Sequence, residues 1–156
     1  MKVSEILSKE FIIAELESND KESAINELID LFKNDPRVED IGKVRQAVLE
    51  REKIMSTGVG KGFAIPHGKT DSVKEILAAF GRKKDGIDYD ALDGNPVNLI
   101  FLLVGKETMI SAHIKLLSRI SRMMNKDDFR QRLINAETAE EIMNVFLEEE
   151  KSYLEI

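Results

Sequence analysis

The segment Val97–Val104, which reads VNLIFLLV, constrains the fold of this chain more than any other stretch. Apart from Asn98, every residue in it is apolar. A strand with one solvated face alternates apolar and polar residues, whereas a nearly continuous apolar run is typical of a strand covered on both faces. The run is also far too short to span a bilayer, which takes about 20 residues. We therefore expect a central strand in a sheet that carries helices on its faces.

Three further segments are predicted to join this strand in a sheet. Phe11–Leu16 and Ile76–Phe80 are short apolar runs bounded by polar residues, and Gly62–Ile65 ends a glycine-rich stretch. Pro66 is expected to end the hydrogen-bonded ladder of the last of these, because proline has no N–H to donate. The predicted strands therefore lie on both sides of a helical region.

Helices are predicted before and after the strand-rich middle of the chain. Asn19 is expected to cap the first long helix, with Glu22 as its capping-box partner, and Thr138 begins a similar pattern near the C-terminus. Apolar residues spaced three and four apart support the other helices. The predicted helical segments are Val3–Leu7, 19–32, Ile41–Glu52, Ser111–Met124, one from Asp127 or Asp128, and one after Thr138.

After the short helix Val3–Leu7, the order of these elements is one strand, two helices, three strands and three helices. A chain of 156 residues fits one domain and is long enough to bury a core. We find no internal repeat, low-complexity tract or linker in it. The sequence therefore predicts a single α/β domain over residues 1–156, with helices covering a mixed sheet.

Composition narrows the kinds of site and partner. The chain has no cysteine and two histidines, His67 and His113, so thiolate metal sites and disulfides are excluded. A formal net charge of −6 disfavours binding to nucleic acid and is expected to suit a basic protein partner. The N-terminus lacks the basic and apolar regions of a signal peptide. We therefore predict a cytoplasmic protein that does not insert into a membrane.

His67 follows a predicted strand in the sequence GFAIPHGK, residues 62–69. Sites in open α/β sheets gather beyond the carboxyl ends of strands. Pro66 stiffens the chain there, and Gly68 leaves the imidazole uncrowded. A turn histidine without function, a metal ligand, a general base and a nucleophile all fit this position. A metal site would need both histidines and a carboxylate, and no motif spacing supports one, so no metal or cofactor is predicted.

A glycine-rich loop, STGVGKG at residues 56–62, precedes this histidine. Its N–H groups, hydroxyls and glycines are suited to binding an anion such as phosphate. It is neither a Walker loop, because Gly62 follows Lys61, nor a dinucleotide fingerprint, because Phe63 stands where the third glycine belongs. A flexible connection is the alternative interpretation. The candidate phosphate-binding residues are Ser56, Thr57, Gly58 and Gly60.

Arg51 and His113 lie outside the loop, and each has a structural interpretation. Arg51 ends a predicted helix, where its charge suits the helix dipole, and it can also bind phosphate oxygens through two N–H groups. His113 lies along the apolar stripe of a predicted helix, a pattern typical of a half-buried structural histidine.

Motifs along nearly the whole chain resemble one known family when they are taken together. They are Glu50–Glu52, Ser56–Gly60, Ala64–His67, Gly86–Asp88, Ala91–Asp93, Pro96–Val97, 101–103 and His113–Leu117. In this order they are similar to enzyme IIA of the fructose–mannitol class of the bacterial phosphoenolpyruvate-dependent sugar phosphotransferase system. The STGxGxGxAIPH block is the most specific of them.

This resemblance implies a three-layer α/β/α domain with a mixed sheet and the activity of a phosphotransferase component. The histidine-containing phosphocarrier protein would donate a phosphoryl group to Nε2 of His67, and a IIB component would accept it for fructose-type sugar uptake. Arg51 and His113 would be the other site residues.

The resemblance leaves two roles open. The stretch Gly86–Gly94, GIDYDALDG, favours the fructose-specific members. His67-Gly68-Lys69 occurs also in the nitrogen-regulatory branch, whose members signal through their phosphorylation state and do not feed a permease. The segment Val104–Thr108 lacks an Ala-Pro pair that is frequent in the family, which leaves the choice of partner open as well.

Overall fold

Residues 1–154 are the part of the chain that a computed structural model describes. Their six strands are β1 (Ile12–Ile13), β2 (Gly58–Gly60), β3 (Phe63–Ala64), β4 (His67–Lys69), β5 (Leu77–Ile87) and β6 (Val97–Gly105). Their six α-helices are α1 (Val3–Ile6), α2 (Lys21–Ile29), α3 (Ile41–Ile54), α4 (Ile110–Met124), α5 (Asp127–Asn135) and α6 (Ala139–Leu154). None of these helices is long and apolar enough to cross a membrane.

The strands form one mixed sheet in which β6 has the most partners. The order is β1-β5-β6-β3-β2, and β4 also pairs with β6. β5 runs antiparallel to β6, whereas β3 and β4 both run parallel to it. β3 and β4 are therefore successive segments beside the same strand. The strand does end before Pro66, as predicted, but pairing with β6 resumes at His67, which the sequence did not indicate.

The two faces of β6 pack against different helices. Leu99, Phe101 and Leu103 belong to a core shared with α1, α4, α5 and α6. Ile100 and Leu102 alternate with them and belong to a second core shared with α2 and α3. The prediction of a central strand covered on both faces is therefore confirmed, and so is the three-layer α/β/α fold with a mixed sheet.

Three more strands differ from the sequence-based expectation. β5 was expected to stop at Phe80 but continues to Ile87, because its second half is partly solvent-exposed and does not need an apolar pattern. Arg82 is buried within it, and its guanidinium group donates to the carbonyl oxygens of Ala14 and Ile134. The strand predicted at 11–16 shortens to Ile12–Ile13, and β2 was not predicted at all.

One of the two predicted helix caps differs from the expectation by one residue. The N-cap of α2 is Asp20 rather than Asn19, and its carboxylate accepts a hydrogen bond from Ser23 N at 2.9 Å. The predicted capping box of Asn19 and Glu22 is therefore wrong. Thr138 does cap the last helix, since its hydroxyl accepts from Glu141 N at 3.1 Å.

Candidate functional site

His67 is held where β4 lies directly against α3. A Cβ on Gly68 would stand 3.0 Å from backbone atoms of both Ala47 and Val48 in that helix. Glycine is therefore the residue that allows the strand and the helix to approach so closely. Because side chains alternate along a strand, His67 and Lys69 project to the opposite face, where α4 packs.

The tautomer of His67 follows from one hydrogen bond. Its Nδ1 lies 2.8 Å from the carbonyl oxygen of Ile65. A carbonyl oxygen only accepts, so Nδ1 carries the proton and Nε2 keeps its lone pair. Burial lowers the pKa of the His67 imidazole, and the charges of Arg51 and Lys69 act in the same direction. The ring is therefore neutral near pH 7, with Nε2 available as a nucleophile.

His113, on α4, faces His67 across the site. The two ring centroids are 5.8 Å apart with an interplanar angle of 55°. His113 is only 2% exposed, and neither ring nitrogen has a hydrogen-bond partner within residues 1–154. Burial lowers the pKa of His113 to about 4, and the charges of His67 and Lys69 contribute. A neutral, buried imidazole with unpaired nitrogens is suited to binding a polar group that enters the site.

Gly105, the last residue of β6, makes room for the His113 ring. A Cβ at this position would stand 2.4 Å from His113 Nδ1. Gly105 is also the register partner of Lys69 on the adjacent parallel strand. The imidazole of His113 therefore occupies the place of the Gly105 side chain, next to Lys69.

A cavity of about 640 Å³ opens beside the two imidazoles. Its charged lining residues are Arg51, Lys69 and Glu107, which gives two cations against one carboxylate. The net charge of the whole chain is −6, so the cavity is locally more positive than the rest of the surface. The other side chains that line it are apolar: Ala47, Ile110, Ile114 and Leu117. This lining suits an anion better than a cation.

Arg51 lies in the last turn of α3, as the sequence indicates, and lines the same cavity. Its Nη1 donates to the carbonyl oxygen of Met55 at 3.0 Å, which helps to end the helix. Nε and Nη2 make no hydrogen bond to any residue that the structure describes. The structure thus brings together Arg51, His67 and His113, three residues that are far apart in the sequence.

The candidate phosphate-binding loop lies outside this cavity lining. Thr57 donates to the carboxylate of Glu52 from both N and Oγ1, at 2.8 and 2.6 Å. The hydroxyl of Ser56 accepts from Gly58 N at 3.2 Å. Gly58 and Gly60 pair with β3. Thr57 N, Thr57 Oγ1 and Gly58 N therefore donate within the loop and to Glu52, and phosphate binding by these four residues stays a prediction.

Glu52 organises that loop, and sequence reasoning did not single it out. Its carboxylate is 4% exposed and accepts hydrogen bonds from Thr57, from the Tyr89 hydroxyl at 3.2 Å and from Lys21 Nζ at 3.3 Å. Burial and the neighbouring carboxylate raise the pKa of Tyr89 well above its usual value. A lone glutamate at a helix end gives no signal of burial in sequence, so this network was not predictable.

Residues 1–154 include no group of three or more histidine, aspartate or glutamate side chains arranged to hold a metal ion.

The profile of the family described as "Phosphoenolpyruvate-dependent sugar phosphotransferase system, EIIA 2" matches residues 5–149. The chain therefore belongs to this family, whose members are phosphotransfer components. The resemblance noted in the sequence is thereby confirmed.

Two fructose-specific relatives show how the chain compares in length. The fructose-specific EIIABC component of Bacillus subtilis (strain 168) is 38% identical over 151 residues, which cover 97% of this chain and 24% of that protein. The chain thus spans about a quarter of that relative. The fructose-specific EIIA component of Haloferax volcanii is 38% identical over 146 residues, covering 94% of this chain and 95% of that protein.

The nitrogen-regulatory branch is represented among solved structures. The crystal structure of nitrogen regulatory protein IIA-Ntr from Neisseria meningitidis has a TM-score of 0.85 and 32% identity, covering 92% of this chain and 98% of that one. Proteins named for both roles are therefore similar to this chain.

Proposed function

We propose that the chain is a phosphocarrier that accepts a phosphoryl group on Nε2 of His67 from the histidine-containing phosphocarrier protein. It then passes the group to a IIB component for fructose-type sugar uptake. The observation that carries this proposal is the hydrogen bond from Nδ1 to the Ile65 carbonyl, at 2.8 Å. That bond leaves Nε2 unprotonated on a ring that lines the cavity.

The bonds that form and break in this transfer involve only this ring and the phosphorylated donor. The lone pair of Nε2 bonds to phosphorus while the P–N bond of the donor histidine breaks, and the donor ring takes back that electron pair. His67 keeps its proton on Nδ1, so its phosphorylated ring becomes positive, and the Ile65 carbonyl stabilises that charge. In onward transfer a nucleophile of the acceptor bonds to phosphorus while the bond between phosphorus and Nε2 breaks, and the His67 ring takes back that electron pair.

Arg51 and His113 supply the charge stabilisation that such a transfer requires. Arg51 has guanidinium N–H groups beyond the one that binds Met55, and guanidinium is well suited to phosphate oxygens. His113 is neutral near pH 7 and can donate from one ring nitrogen to a phosphoryl oxygen. Donors already in position stabilise the charge that spreads over these oxygens in the transition state.

The rim of the cavity fits a protein partner rather than a small substrate. Ile110 and Ile114 are 50% and 58% exposed, and both line the opening beside His113. Exposed apolar side chains beside a polar site are typical of surfaces that bind proteins. A carrier has to admit a donor and an acceptor in turn, which an open cavity allows.

The test is phosphorylation by the reconstituted donor proteins. Wild-type protein is incubated with phosphoenolpyruvate, enzyme I and the phosphocarrier protein, and should gain one acid-labile, alkali-stable phosphoryl group. His67→Ala should gain none, whereas the matched variant His113→Ala should still be labelled. Labelling of His67→Ala at the wild-type level would contradict the proposal.

A nitrogen-regulatory role is the second candidate. The similarity to IIA-Ntr from Neisseria meningitidis supports it, at 32% identity over 92% of this chain. In this role His67 is phosphorylated in the same way, but the phosphorylation state changes what the protein binds. Rapid transfer from phosphorylated protein to a fructose IIB component favours sugar uptake; a stable phosphoprotein that transfers nothing to it favours regulation.

A further inference from the structure

We propose that Lys69 is a further phosphoryl-binding residue, which contacts the group on His67 from the α4 face of the sheet, beside His113. The role of Lys69 rests on the proposed function of His67. Neither the sequence motifs nor the similarity to known proteins gives Lys69 a role in phosphoryl binding.

Strand geometry brings Lys69 to the phosphoryl position. His67 and Lys69 are two residues apart on β4, so their side chains project to the same face, with Cα atoms about 6–7 Å apart. Lys69 is in register with Gly105, whose missing side chain is replaced by the ring of His113. His67, Lys69 and His113 therefore surround one space, and all three line the cavity.

The ammonium group of Lys69 is available for a ligand. Within residues 1–154 Lys69 makes no hydrogen bond through its side chain and no ion pair, including none with Glu107, the acidic residue of the lining. The charge of Lys69 lowers the pKa of both His67 and His113, whereas the charge of Arg51 lowers the pKa of His67. Lys69 is thus the cation that both imidazoles share.

A phosphoryl group on Nε2 calls for such a cation. Its oxygens carry about two negative charges and enter a cavity with mostly apolar walls. Arg51 approaches from α3, on one face of the sheet, and has already committed one nitrogen to Met55. A lysine on the other face has three donors on a flexible stem, so it can follow the phosphoryl group during transfer.

The experiment measures an equilibrium, because docking of a partner alters rates but leaves the equilibrium between free proteins unchanged. Phosphorylated phosphocarrier protein is mixed with equimolar chain, and the phosphorylated fraction of each protein is read by ³¹P NMR. Lys69→Met should lower the equilibrium constant about tenfold, the effect of losing one charge-assisted hydrogen bond at a partly exposed site. Lys69→Arg should recover part of it. Lys53→Met, an exposed change on α3 outside the cavity lining, should match wild type.

A titration of the two imidazoles by NMR gives an independent readout in the unphosphorylated protein. Lys69→Met should raise the pKa of both histidines, and Lys53→Met should raise neither. A Lys69→Met variant with the wild-type equilibrium constant overturns the proposal, and a slower rate at that same equilibrium assigns Lys69 to partner docking instead. If wild-type protein takes up no phosphoryl group, the proposed function of His67 itself fails, and the role of Lys69 fails with it.

Discussion

Gly105→Ala tests how strictly onward phosphoryl transfer depends on the position of His113. The added Cβ would stand 2.4 Å from Nδ1, 3.2 Å from Cε1 and 3.3 Å from Cγ of that ring, whereas ordinary contacts begin at 3.4 Å. The difference between 3.4 and 2.4 Å means that the imidazole or the strand has to move by about 1 Å. The ring is buried, so it cannot relieve the contact by turning into solvent.

Two magnitudes follow from this displacement. Overpacking of a buried site costs about 1–3 kcal/mol of stability. A 1 Å misplacement of a catalytic group costs up to about a hundredfold in rate. We expect Gly105→Ala to be phosphorylated on His67 but to transfer to a IIB component roughly ten- to a hundredfold more slowly than wild type.

The assay combines chemical denaturation with single-turnover transfer from purified phosphoprotein. The control is the double variant Gly105→Ala/His113→Ala, in which the clash is absent. If the clash is the cause, the double variant is more stable than the sum of the two single changes allows, with a coupling energy of about 1–3 kcal/mol. Gly105→Ala with wild-type stability and wild-type transfer would refute the reasoning about His113.

Three more changes probe the site. Arg51→Met should slow transfer about ten- to a hundredfold, because a charged contact in the transition state is lost, whereas Lys53→Met should not. Equal rates for both variants would mean that Arg51 acts only on the helix dipole. Burial lowers the pKa of His113 to about 4, so the unfolded chain takes up a proton on this residue at a higher pH than the folded chain does. The free energy of unfolding should therefore fall as the pH drops from about 6.5 to about 4, by at most about 3 kcal/mol. Urea denaturation at several pH values should show a smaller loss of stability in His113→Gln than in wild type. An equal loss would contradict the assignment of this pH dependence to His113. Thr57→Val should cost about 1–3 kcal/mol of stability through the loss of its hydrogen bond to Glu52, with transfer per folded molecule unchanged. Slower transfer at unchanged stability would instead support the prediction that Thr57 binds phosphate.

The fold was predictable where burial leaves a periodic pattern in the sequence. Val97–Val104 indicated a strand covered on both faces, and the structure covers β6 in that way. β2 and β4 were missed because each has three residues and includes glycine, so neither shows a period. The cap at Asp20 was assigned to its neighbour Asn19, because both residues are good caps and only the backbone conformation chooses between them.

The site was predictable in its histidines but not in its surroundings. His67 stood out by its position after a predicted strand, whereas only the family resemblance connected it with His113 and Arg51. The glycine loop suggested a phosphate cradle, which stays a prediction, and sequence could not show that the carboxylate of Glu52 binds the N–H and hydroxyl of Thr57. If a strand had been predicted after Pro66, the alternation of side chains would have placed Lys69 on the same face as His67.

The backbone contact between Gly68 and α3 has a consequence for how the phosphorylated state is recognised. It fixes β4 on one side while β6 holds it by hydrogen bonds on another, so the segment has little freedom to rearrange. A phosphoryl group on His67 then alters the local electric potential far more than the shape of the protein. A partner that distinguishes the two forms has to sense the negative phosphoryl oxygens at the cavity mouth, a net change of about one negative charge because the ring becomes positive, and this discrimination weakens as ionic strength rises.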